Sequence, residues 1–130
     1  MTHKEVRLIP EQRCERGGQR EPLRNGTGLR AEYYAGITLT GTPRIRPDTT
    51  VNFNWGNGFA DPNVGAELIS VRWTGRVTPR YSQTYRFYTN CDDGTRLWVN
   101  NILLVDNWVD QGPTERSGTI NLTAGVPYDL

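Results

Sequence analysis

Over residues 85–105 the chain alternates apolar and polar residues and reverses on Asp92-Asp93-Gly94. It then alternates again and reverses once more on Asn100-Asn101. Alternation at period two puts successive side chains on opposite faces of a strand. Turns this short join antiparallel neighbours, and Asn tolerates the positive φ that a two-residue hairpin needs. This stretch therefore commits the fold to consecutive antiparallel hairpins. Tyr85 and Phe87 share one face, with Arg86 and Tyr88 opposite; Leu97 and Val99 oppose Arg96 and Trp98. Residues 102–105 are apolar throughout and read as a strand covered on both sides.

The same period recurs along the chain. Leu29, Ala31 and Tyr33 alternate with Arg30, Glu32 and Tyr34; Val51, Phe53 and Trp55 share a face, as do Ile69, Val71 and Trp73; and Thr119-Ile120-Asn121-Leu122 alternates again. Pro43 and Pro47 bracket a piece around Ile45 that suits only an edge strand. Residues 56–65 form a loop rich in Gly, Asn and Asp, and residues 106–113 form a second loop carrying Trp108. No stretch of ten residues or more has a helical period. The expected fold is all-β, an antiparallel β-sandwich of jelly-roll-like form. Residues 128–130 begin a further alternation, so C-terminal strands are expected to be missing and a neighbouring strand to be left open along its edge.

The 130 residues suit one domain. Residues 1–27 hold six Lys/Arg and four Glu with sparse, aperiodic apolar residues, and are expected to be a disordered leader or linker ahead of a domain at 28–130. The formal net charge of +1 gives no electrostatic case for nucleic acid. No apolar run is long enough for a membrane helix, and no signal peptide is visible. Cys14 and Cys91 are far apart and are weak evidence for a bridge. The sequons at Asn25 and Asn121 occur about as often as chance allows.

Catalysis has little support. The one histidine, His3, lies in the leader, and no hydrolase, zinc-protease or phosphate-loop motif is present. Adjacent carboxylates cannot face each other across a sugar as glycosidase acids do. Asp92 and Asp93 suit a hard cation better, calcium taking six to eight oxygens from carboxylates, carbonyls and water. Asp106, Asn107 and Asp110 lie on the following loop and could approach. The competing reading is that Asp92 and Asp93 cap a tight turn through their own backbone amides. Trp98 and Trp108 offer aromatic faces for a ligand, although a Trp in an all-β domain more often packs in the core.

Six segments then occur in order: residues 28–34 (Gly28-Leu29-Arg30-Ala31-Glu32-Tyr33-Tyr34), 71–75, 85–88, 92–99 (Asp92-Asp93-Gly94-Thr95-Arg96-Leu97-Trp98-Val99), 105–108 and 122–128. Together they resemble the anthrax-protective-antigen N-terminal domain family, the "PA-fourteen" β-sandwich, over about residues 28–130. The resemblance implies a carbohydrate-binding module of a larger extracellular or cell-surface protein, lectin-like or adhesin-like, with a glycan or polysaccharide as partner. It also implies other domains in a parent protein and no membrane insertion. Asp92 and Asp93 would hold a calcium across a cis peptide bond, with Trp98, Asp106, Asn107 and Trp108 as ligand-facing residues. The alternative expectation is a non-catalytic structural or interaction module that binds no sugar. A third is an accessory fragment of a glycosidase or protease.

Overall fold

The structure, a computed structural model, describes residues 5–11, 28–55, 59–64 and 68–130. Among these residues it is all strand and loop. The strands are β1 (Glu5–Glu11), β2 (Leu29–Ala35), β3 (Arg44–Asp48), β4 (Asn52–Asn54), β5 (Ile69–Thr74), β6 (Arg76–Val77), β7 (Gln83–Cys91), β8 (Thr95–Val99), β9 (Ile102–Asn107), β10 (Thr114–Leu122) and β11 (Tyr128–Asp129). Every ladder is antiparallel. The strand orders are β10-β7-β1-β4, β3-β2-β5, β11-β6 and β8-β9. The antiparallel β-sandwich expected from the alternation is the fold found.

The alternation also sets the core. Tyr85, Phe87, Leu97, Val99, Val105 and Leu122 form one buried cluster, drawn from the inward positions of β7, β8, β9 and β10. Ala31, Tyr33, Ala60 and Ile69 form a second, with Trp55, Val71 and Trp73 packed against it. Trp55 and Trp73 meet the Tyr33 ring edge-on, and both stack against Phe53. Asn100 and Asn101 have φ of 52° and 62°, the paired positive values of the tight hairpin between β8 and β9. β3 lies at a sheet edge with Pro47 inside it, where a missing N–H is tolerated.

Three expectations need correction. The expected disordered leader at 1–27 contains β1, whose backbone lies between β7 and β4 and pairs with both. Pairing across some fifty to eighty residues of sequence leaves no trace in local periodicity. Second, residues 102–105 are not covered on both sides: Ile102 and Leu103, which point to opposite faces of β9, are both exposed, and Val105 alone of the four is buried. Third, β2 does not alternate in burial over residues 31–34. Glu32 and Tyr34 are as buried as Ala31 and Tyr33. Arg30 and Arg72 both bond the Glu32 carboxylate, at 2.9 and 2.8 Å, and so compensate its burial. His3, Cys14, the sequon at Asn25 and parts of the 56–65 loop lie outside the described residues.

Candidate functional site

Cys91, the last residue of β7, turns a buried thiol inward. The next residues reverse the chain into β8. Asp92 caps this turn, its Oδ1 accepting from the Asp93 N–H at 3.2 Å. Asp93 reaches further: its Oδ1 accepts from the Gln111 N–H at 3.3 Å, and its carbonyl accepts from Gln111 Nε2 at 3.1 Å. Gly94 lies so close beneath the β9–β10 loop that a Cβ there would sit 2.7 Å from Val109 N and 2.8 Å from Trp108 Cα. Only glycine allows this approach. The acidic turn is thus clasped to the β9–β10 loop by two hydrogen bonds and a backbone contact. Sequence reasoning missed Gln111, since a lone Gln in a loop carries no pattern.

The six expected site residues divide. Asp92, Asp93, Trp98 and Trp108 line one cavity of about 350 Å³. Asp106 and Asn107 are not among its lining residues. Asp106 is held by Arg96, Nε to Oδ1 at 2.8 Å, and the same guanidinium sits 5.4 Å above the Trp108 ring. Trp98 and Trp108 are both exposed, at 47% and 41%.

The expected calcium geometry is not assembled by these side chains. The Asp92–Asp93 peptide is trans, there being no cis bond among the described residues. No three acid, His or Cys side chains converge there either, among the described residues. Asp93 Oδ2 is a buried acceptor with no protein partner among the described residues. It is one oxygen where calcium asks for six to eight.

The strongest polar organisation lies elsewhere and was invisible in the sequence. Asp48 Oδ2 accepts from the Tyr33 hydroxyl at 2.5 Å and from Trp73 Nε1 at 2.8 Å, and Oδ1 accepts from Arg46 Nε at 2.9 Å. Arg46 Nη2 also donates to the Tyr33 oxygen at 2.6 Å, with its guanidinium 4.2 Å over the ring. Burial, and then the bond to Asp48, push the Tyr33 phenol well above its ordinary range. The Arg72 bond draws the Glu32 carboxyl down from 4.5 to about 2. Both groups are locked in one protonation state near neutral pH, which suits architecture rather than proton transfer.

The family model for the PA14 domain matches residues 25–130. The chain belongs to the PA14 domain family. Among curated proteins, this PA14 domain is 50% identical over 110 residues to the anti-sigma-I factor RsgI3 of Acetivibrio thermocellus, covering 83% of the chain and 17% of that protein. Two solved structures are similar. One, an anti-sigma factor domain-containing protein, has TM-score 0.77 and 49% identity, over 80% of this chain and 36% of that one. The other, an anti-sigma factor domain-containing protein from Clostridium clariflavum, has TM-score 0.75 and 42% identity, over 78% and 35%. The chain therefore spans about a sixth of the curated relative and about a third of the solved ones. These relatives are named for anti-sigma factors and not for protective antigen.

These relatives overturn the main functional expectation. A lectin-like, adhesin-type or secreted carbohydrate-binding module with a glycan partner is not what they are named for; each is named as an anti-sigma factor or as containing an anti-sigma factor domain. The alternative, a module that binds no sugar, fits them better. The resemblance misled because an Asp-Asp-Gly turn serves a hairpin equally well with or without a ligand.

Proposed function

We propose that this PA14 domain is a non-catalytic interaction module of a regulatory protein of the anti-sigma-factor type, and that it binds no sugar. The observation that carries this reading is the 50% identity to RsgI3 across 83% of the chain. The candidate site supports it. Asp92 Oδ1 and Asp93 Oδ1 are engaged in turn-capping and clasp bonds, Asp106 is taken up by Arg96, and the strongly shifted Glu32 and Tyr33 are fixed by partners in β3 and β5. A general acid or base needs a group poised near working pH and open to substrate; neither of these qualifies.

The test is an exchange. The matching 110 residues of RsgI3 are replaced by this chain, and sigma-I-dependent transcription is read with a reporter beside a variant lacking those residues altogether. The exchanged protein should regulate as its parent does, and the deletion should not. An exchange that behaves like the deletion, or a deletion without effect, contradicts the reading.

A further inference from the structure

Among the described strands, β1 alone lies outside residues 25–130, the range that the PA14 family model matches. Seventeen residues of sequence separate it from β2. It is nevertheless an inner strand, in the order β10-β7-β1-β4. Six pairings join it to β7, from Val6 opposite Cys91 to Glu11 opposite Arg86, and three join it to β4, from Glu5 opposite Asn54 to Arg7 opposite Asn52. Each neighbour also has a hold that does not involve β1. β7 has a second ladder, nine positions long, with β10, and its Tyr85 and Phe87 belong to the first core cluster. β4 pairs with no other strand among the described residues, but its Phe53 stacks on Trp55 and Trp73, which pack against the second cluster. The two clusters share no residue, and the ladders of β1 run to both sides. For an inner strand β1 is lightly fastened. Pro10 has no N–H to donate, and proline within sheets belongs to edges. β4 ends opposite Arg7, so residues 8–11 pair on one side only, among the described residues. A short ladder that is edge-like over half its length opens at lower free energy than the core strands do.

We propose that β1 is a releasable strap: an intramolecular ligand of the PA14 domain that docks between β7 and β4, fastens the two core clusters to each other, and leaves while both clusters persist. What the lane accepts follows from β7. Directly opposed residues of an antiparallel pair share a face. The lane positions in register with Phe87, Thr89 and Cys91, all buried, therefore call for uncharged residues, and Pro10, Leu8 and Val6 stand at them. The position in register with Arg86, which is exposed, admits a charge of opposite sign, and Glu11 stands there. Docking and release of seven residues thus couple the domain's two halves to the polypeptide that carries β1. This goes beyond the regulatory reading and is independent of it, since it rests on strand pairing and not on what the parent protein regulates.

The test uses the full 130-residue chain with a site-specific protease sequence inserted between Gly17 and Gly18. After cleavage the N-terminal fragment should remain with the domain on size-exclusion chromatography, held by its ladders alone. An excess of a fluorescent peptide of residues 4–12 should then replace it, about tenfold or more faster than the domain unfolds globally. The same peptide with Leu8→Asp should not enter, because its carboxylate would fall in register with the fully buried Thr89. Washing the fragment out by dilution should speed hydrogen exchange in Asn52–Asn54 by about tenfold or more, while β8 and β9 keep their protection. Replacement no faster than global unfolding makes β1 a permanent strand of the fold and overturns the proposal. So does entry of the Leu8→Asp peptide, and so does loss of the fragment with exchange in Asn52–Asn54 unchanged.

Discussion

Asp93 shows how one side chain can tie two loops together. Its carboxylate and carbonyl both accept from Gln111, eighteen positions away. Asp93→Ala should lower stability by about 1–2 kcal/mol, and Gln111→Ala by a similar amount. The two changes remove different bonds of the one clasp, Asp93→Ala the bond to the Gln111 backbone N–H and Gln111→Ala the bond to the Asp93 carbonyl, so each should register separately in urea titrations; wild-type stability in either variant would contradict the clasp. Asp48 is the heavier case. Asp48→Ala strands Tyr33, Trp73 and Arg46 without their shared acceptor and should cost about 3 kcal/mol or more. Glu32 gives a pH signature. Its folded pKa of about 2 lies below the unfolded 4.5, chiefly through Arg72. Its contribution is therefore complete above pH 4.5 and is lost as pH falls toward 2. Denaturation midpoints measured across that window should fall, and Arg72→Ala should flatten the fall.

At the scale of elements, turn chemistry was legible and strand partnership was not. Asn100-Asn101 announced a tight hairpin because few residues accept positive φ in succession, and both do here. Asn101→Val should therefore lower stability by about 1 kcal/mol or more, whereas Asn101→Gly should be tolerated or raise the melting temperature. Gly94→Ala should be costlier than an ordinary loop substitution, since the new methyl meets the backbone of Trp108 and Val109; altered Trp108 fluorescence would locate the damage. By contrast, nothing local in Glu5–Glu11 told of its place between β7 and β4. The burial of Glu32 depended on arginines two and forty residues away. Such facts belong to pairing partners, and a period of two cannot encode them.

For the whole molecule, fold and family were readable from ordered motifs, but function was not. Asp92, Asp93, Trp98 and Trp108 line one cavity, while Asp106 goes to Arg96. The residues that most organise the polar interior, Asp48 and Arg46, lie on an edge strand that showed only its prolines. An Asp-Asp turn reads alike whether it binds or braces, and the relatives are named for anti-sigma factors rather than for lectins. The decisive contrast is thermal unfolding of the 130-residue chain in calcium and in chelator, beside Asp93→Ala. A ligand of the native state raises stability by RT ln(1 + [L]/Kd). If Asp92 and Asp93 brace the turn, the melting temperature is the same in both media, and Asp93→Ala lowers it equally in each. A calcium-dependent rise that Asp93→Ala abolishes would make the acidic turn a metal site and contradict its role as a clasp.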